Sequence, residues 1–256
     1  MTTINDILQF MEQIAPQNMK MEWDNVGLLV GSKNDPVSKI LVALDPFEHV
    51  CNEAVDFGAQ LLITHHPLIF HGMKSVTDET SVGRGVRILI RNGINAINAH
   101  TNYDCAPGGV NDVFAELLGL ENVTVIQSMD APLLRAGDVP EQTLEQFLAT
   151  VKEKLHCKGL RYVDAGKPVR KVAVGGGACS GGSEDALRAG CDTFVTSDVG
   201  YNRFWDAHDM GLNMIDAGHF QTENPSMLVL AEKIAAQFPE IEVKISETHV
   251  DCMKFY

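Results

Sequence analysis

Basic residues are in short supply in this chain of 256 residues: 20 Lys and Arg stand against 34 Asp and Glu, a formal net charge of −14. Neutralising a nucleic-acid backbone takes clustered Lys and Arg, so the general field argues against such a partner. The one small basic group, Arg84, Arg87 and Arg91, has helical spacing and reads as a solvated face. Long apolar runs are missing too. Polar or charged residues interrupt each one well short of the roughly 20 residues that a membrane span needs, and the start of the chain lacks the basic-then-apolar pattern of a signal peptide. No membrane is expected, and the expected location is the cytoplasm. Paired cysteines are absent as well: Cys51, Cys105, Cys157, Cys179, Cys191 and Cys252 include no Cys-x-x-Cys. That pattern suggests neither a thiolate zinc site nor a disulfide framework, and leaves reduced, mostly structural thiols as the expectation.

What is present is ordinary globular material, with 45% apolar and 21% charged residues, which argues against disorder. Its arrangement repeats. Ile40 to Asp45 has the character of a strand, Glu48 to Phe57 carries apolar residues at helical spacing, Gly58-Ala59 ends that helix, and Leu61 to Thr64 is a second buried strand. Lys171 to Gly175, Ser183 to Arg188, Gly190 and Thr193 to Thr196 follow the same order. The parallel extends through Ile94 to His100 against Leu212 to His219. It then covers a closing helix and strand, Val110 to Leu118 with Asn122 to Ile126, against Met227 to Phe238 with Glu240 to Ile245. Strand and helix alternating in this way predict an α/β fold of two similar halves, an internal duplication, each half a mainly parallel sheet flanked by helices. The expected boundaries are 1–130 for the first half, 131–168 for a connecting helical segment and 169–256 for the second half. Thr3 to Ala15 reads as a capped amphipathic helix with Ile7, Leu8, Met11 and Ile14 inward.

The chemistry gathers where strands end. In open α/β sheets ligands collect at the carboxyl ends of strands. His65 and His66 follow one such strand, His100 and Asp104 follow the next, and His219 and Glu223 follow the corresponding strand of the second half, where Ser197-Asp198 occupies the place of the paired histidines. Imidazoles and carboxylates in these positions are the donor set of a divalent metal site. Adjacent strand residues point to opposite sides, so His65 and His66 are expected to serve different ions. His219 and Glu223, four apart, share a face if the chain there is helical. The expectation is a dinuclear centre in which Glu223 bridges, His66 and Asp104 hold one ion, and His65 and His219 hold the other. His100 reads as a partner that orients Asp104, with direct ligation the alternative. His49, His71, His156, His208 and His249 read as structural. The stretch Gly175 to Gly182 follows a strand and precedes a helix, but without the register or lysine of a phosphate loop it reads as a tight turn. Trp23-Asp24-Asn25-Val26-Gly27 is a polar, aromatic loop that reads either as a pocket lining or as a structural turn.

Four segments also carry a family resemblance: Trp23-Asp24-Asn25-Val26-Gly27-Leu28, Thr64-His65-His66-Pro67, His100-Thr101-Asn102-Tyr103-Asp104, and Gly218-His219 with Thr222-Glu223. Together, and in this order over nearly the whole chain, they resemble the Nif-three-like family, the GTP cyclohydrolase I type 2 homologues. The resemblance implies two divalent metal ions per subunit, with His65, His66, Asp104, His219 and Glu223 at the ligand positions. It also implies a ring-shaped (toroidal) homohexamer with its metal sites facing an internal cavity. The chain looks like the short form, without the inserted domain of longer members. The expected activity is a metal-dependent hydrolase in which metal-activated water attacks a nucleotide, or a related C–N or phosphoester substrate. Zinc, manganese, iron and nickel all suit the ligands. The alternative from another class is a non-catalytic, metal-stabilised scaffold or binding protein, one form of which would engage nucleic acid through the ring.

Overall fold

A computed structural model describes all 256 residues. The chain divides into two compact units, 1–106 with 227–251 and 107–226 with 252–256. The first opens with α1 (Ile4–Ile14), begun by Thr3, whose backbone N–H donates to the Asp6 carboxylate at 2.8 Å, and Ile4, Ile7 and Met11 are its buried face. Leu8 and Ile14, also expected inward, are only half-buried. Then come β1 (Gly27–Val30), β2 (Lys39–Ala43), α2 (Glu48–Phe57), β3 (Leu61–Thr64), α3 (Ser81–Arg91), β4 (Asn95–Asn98) and the short α4 (Thr101–Cys105). Gly58, at φ +73°, closes α2 in the left-handed conformation that a residue with a Cβ resists.

The second unit contains α5 (Val110–Leu117), β5 (Glu121–Ser128), β6 (Ala131–Gln142), α6 (Leu144–Lys154), β7 (Arg161–Val163), β8 (Val169–Val174), α7 (Ser183–Arg188), β9 (Thr193–Thr196), α8 (Tyr201–Met210), β10 (Asn213–Asp216) and the short α9 (His219–Glu223). The chain then returns to the first unit along α10 (Pro225–Gln237) and ends its regular structure with β11 (Glu242–Ile245).

Each unit has its own sheet and core. The five-stranded sheet runs β1-β4-β3-β2-β11, and the six-stranded sheet β5-β6-β8-β9-β10-β7. Parallel pairing holds at the centre of both: β11·β2, β2·β3 and β3·β4 in one, β8·β9 and β9·β10 in the other. Among them β2, β3, β4, β9 and β10 are buried almost end to end, as strands covered on both faces must be, whereas the edge strand β11 is not. The sheets are nevertheless mixed. β1 adds antiparallel to β4, β7 antiparallel to β10, and the long β5–β6 hairpin joins β8 antiparallel. Leu41, Ala43, Val50, Leu62, Val86, Leu89 and Ala96 belong to the core of the first unit; Phe114, Phe147, Val151, Val172, Val174, Val195 and Ile215 belong to that of the second.

The boundaries differ from those expected. Residues 131–168 are not a connecting segment, because they supply β6, α6 and β7 to the second unit. The closing helix and strand of each half also change places: α5 and β5 build onto the second unit, while β11 pairs with β2 in the first. A strand edge accepts any segment of suitable pattern, so sequence order does not say which edge it joins. The cysteines are all free, and five are buried; burial pushes the Cys51 thiol up to about 12, with the nearby Glu48 charge adding to it. A thiol so shifted is structural and unreactive.

Candidate metal centre

The first unit brings three imidazoles together at the ends of β3 and β4. One ring nitrogen from each of His65, His66 and His100 lies within 4.8 Å of the others. The strand ladder continues past β3, with His65 N–H donating to Ala43 and His66 N–H to Leu44. The side chains do not keep strand alternation, however. The Thr64 hydroxyl donates to the His66 carbonyl at 2.7 Å, bending the chain, and the two rings end 4.9 Å apart. Asp104, carried on α4, places Oδ1 3.6 Å from Nε2 of His65. Asp104, grouped with His66 in the sequence reading, thus lies beside His65.

Every one of these rings is held from behind. His65 is fully buried and donates from Nδ1 to the Ala99 carbonyl at 2.8 Å. His66 donates from Nδ1 to Asp45 at 2.7 Å, and His100 from Nδ1 to Asp24 at 2.9 Å. A carbonyl or a carboxylate can only accept, so Nδ1 carries the proton and Nε2 is the nitrogen left to bind a cation. His100, expected to orient Asp104, instead has Asp24 as its side-chain partner, and its ring joins the cluster 5.1 Å from His65 and 5.4 Å from His66.

The carboxylates behind the rings are strongly acidic. Burial works against the charge of Asp24, yet hydrogen bonds from His100 and from the Thr101 N–H and hydroxyl outweigh it and hold the group at about 2. Asp45 is likewise penalised by burial but held well below the usual carboxylate range by His249 and His66, one on each oxygen. His249, read as structural in the sequence, thus touches the cluster through Asp45. Nothing in the residues around it signals this.

The second unit builds a smaller group at the end of β10. Gly218, at φ +89°, turns the chain into α9, and its N–H donates to Asp216 at 3.1 Å. One helical turn then sets Nε2 of His219 3.0 Å from the Glu223 carboxylate, while Nδ1 donates to Asp198 at 2.7 Å. Both nitrogens face carboxylate oxygens, so the ring is set to have a cation, a proton or a metal ion, at Nε2. Gly177, at φ +63°, lies against this pair: a Cβ there would sit 2.1 Å from Glu223 Oε1 and 3.2 Å from His219 Nε2. The turn at Gly175 to Gly182 is no phosphate cradle, since the Gly176 N–H donates to Asn111 and the Gly177 N–H to Thr222.

Of the residues singled out from the sequence, the structure groups His65, His66, His100 and Asp104 in one unit and His219 and Glu223 in the other. Asp24, Asp45, Asp198 and His249 were missed as partners. Asp45 and Asp198 do follow buried strands, a signal that would have found them. The donor types, the protonated Nδ1 atoms and the burial fit a divalent metal.

Known proteins agree with this frame. A Clostridium perfringens protein named GTP cyclohydrolase 1 type 2 homolog is 36% identical over 98% of this chain and 99% of its own. A hypothetical protein of Staphylococcus aureus, SA1388, superposes with a TM-score of 0.89 at 28% identity over 99% of both chains. A Bacillus cereus protein related to NIF3 does so with a TM-score of 0.91 at 26% identity, covering 100% of this chain and 99% of that one. The model of the family described as Duf34/NIF3 (NGG1p interacting factor 3) matches residues 2–251. The chain belongs to the Duf34/NIF3 family.

Proposed function

We propose that the protein is a dinuclear metal-dependent hydrolase acting on a nucleotide or a related C–N or phosphoester substrate, with His65, His66, Asp104, His219 and Glu223 as the residues that would hold the ions. One observation carries the reading: each of the three ligand imidazoles, His65, His66 and His219, donates from Nδ1 to an oxygen, which orients Nε2 for a metal. The name GTP cyclohydrolase 1 type 2 homolog, borne by relatives, makes GTP-like nucleotides the first substrates to test. Bound divalent ions supply Lewis acidity and an activated water, which suits hydrolysis of either bond type.

The chain's own residues do the rest. Asp45, itself held by His249, fixes the tautomer and direction of His66, and the Ala99 carbonyl does the same for His65. Asp24 and His100 form a carboxylate–imidazole dyad, so His100 can hold or pass a proton at Nε2 while the Asp24 charge offsets the imidazolium. Strand ends and single helical turns keep these groups rigid, which preorganised catalysis requires. The homohexamer is part of the proposal, and light scattering on the purified protein checks it.

Metal analysis of the purified protein is expected to find about two ions per chain. His65→Ala and Glu223→Ala are expected to lose them, along with turnover of GTP in the presence of zinc, manganese, iron or nickel. A folded protein that retains no metal with any of the four would overturn the reading. Chelation that melts the protein, together with a metal-loaded form inert to nucleotides, phosphoesters and cyclic amides, would make the ions structural and the protein a scaffold.

A further inference from the structure

Beside the imidazole cluster, the first unit carries two large aromatic side chains that its core does not use. Trp23 is 61% exposed and Phe70 is 40% exposed. Their ring centroids are 5.7 Å apart and the planes are tilted by 55°, so neither ring covers the face of the other. Both rings approach one imidazole. Trp23 and Phe70 each lie 6.2 Å from the His100 ring at 71°, and His100 in turn touches His65 and His66.

The two rings are pinned where they are. The Asn25 amide donates to the Ile69 carbonyl at 2.6 Å, which ties the loop bearing Trp23 to the segment bearing Phe70. Asp24, between Trp23 and Asn25, is buried and bonded to His100 and to the Thr101 N–H. Lys20 holds the Asp24 carbonyl at 2.8 Å. Asp24 and Asn25, the two residues that follow Trp23, are therefore anchored, and the exposed indole rests on a fixed support. Exposed apolar rings on fixed supports at the rim of a polar site are unusual unless something covers them.

We infer that Trp23 and Phe70 form a stacking face for the planar nitrogen heterocycle of the substrate, and that they set the substrate class. The inference rests on the proposed hydrolytic centre, because a ring stacked there lies against His100 and its neighbours. A planar heterocycle fits for two reasons. Aromatic faces attract one another in offset or edge-on contacts at centroid separations of about 4.5 to 7 Å, the spacing these three rings already have among themselves. Stacking also tolerates many ring substituents while rejecting substrates that have no ring, so it selects a class.

The test uses the full-length, metal-loaded protein. Trp205 is the one other tryptophan, so Trp205→Phe leaves Trp23 as the sole indole reporter. Guanosine 5′-monophosphate is the probe and ribose 5-phosphate, which lacks the base, the control. The expected result is saturable quenching of Trp23 emission by the nucleotide. Calorimetry is expected to show binding weakened about tenfold or more by Trp23→Ala and by Phe70→Ala, and by less than about threefold by Trp23→Phe. Ribose 5-phosphate affinity and metal content should be the same in all of them. The inference is overturned if the nucleotide does not bind, if it binds both alanine variants as it binds the parent, or if it leaves Trp23 emission unchanged at saturation. It is also overturned if the alanine variants change the oligomeric mass and not the nucleotide affinity, since the rings would then be a contact between copies. Repeating the quenching with His65→Ala separates the two readings: quenching that persists in protein shown to bind no metal keeps the stacking face while the metal centre falls.

Discussion

The ends of β3 and β9 begin from the same frame and diverge in chemistry. Both strands are four residues long, fully buried and parallel to a neighbour on each side. The residue after each continues the ladder, His65 N–H to Ala43 and Ser197 N–H to Gly177. After β3 the chain presents two imidazoles; after β9 it presents Ser197 and Asp198, and Asp198 serves as the partner of His219. One strand further on the two units agree again. His100 and Asp104 follow β4, His219 and Glu223 follow β10, and each histidine precedes its acid by four residues and donates from Nδ1 to an aspartate. The frame is shared, and the residues at its exit decide whether a strand end supplies a candidate ligand or the group that orients one.

If that division of roles is right, removing a direct donor has the largest effect. His65→Ala in one unit and Glu223→Ala in the other should each weaken metal retention by more than about 100-fold, since even outer partners cost that much. Equal metal content in either variant and the parent would break the comparison.

A second test sets the units apart by acid. Burial opposes the charge of Glu53 in the first unit, but bonds from the Ser246 hydroxyl, the Glu247 N–H and Thr248 outweigh it and lower the group from 4.5 to about 2. Lys244 lies 3.8 Å away and Glu247 is the other charge nearby. The folded pKa is below the unfolded one, so the stabilisation is complete above pH 4.5 and is lost as the pH falls toward 2. By linkage it is worth about 3 kcal/mol. Urea unfolding should therefore show Glu53→Gln less stable by about 2 to 3 kcal/mol at pH 7, with the gap closing by pH 2. A gap unchanged at low pH would refute the assignment.

The orienting carboxylates sharpen the comparison further. Asp45→Asn and Asp198→Asn should each lower metal affinity by about 10- to 100-fold without unfolding the protein, read by titration against a competing chelator. Similar losses would make the two aspartates equivalent across the units; a loss for one alone would show that the duplication is structural and not functional. The smallest effect concerns the support. Gly177→Ala meets Glu223 Oε1 at 2.1 Å in a conformation that disfavours a side chain, and should cost about 1 to 2 kcal/mol in thermal or urea unfolding together with some loss of metal affinity.

Much of the candidate site was legible because the donor set of a metal uses few residue types. His65-His66 at the end of an apolar run and the four-residue step from His219 to Glu223 are local patterns, and local patterns survive in one dimension. What went wrong was geometric. The rule that neighbours on a strand diverge set His65 and His66 on opposite sides, but the chain bends where the Thr64 hydroxyl bonds the His66 carbonyl, and the two rings end 4.9 Å apart. His249 lies far from Asp45 in the chain and meets it in the fold, so its part in the site had no local sign.

The order of strands and helices, the burial of the central strands and the placing of imidazoles and carboxylates at strand ends were determined by the sequence itself, because hydrophobic period and turn residues act over a few positions. The tertiary structure decided which strand edges the closing segments joined, sending the β5–β6 hairpin to β8 and β11 to β2. It also decided which nitrogen of His65, His66, His100 and His219 carries the proton. Both depend on partners tens to hundreds of residues away, brought close only when the sheets assemble.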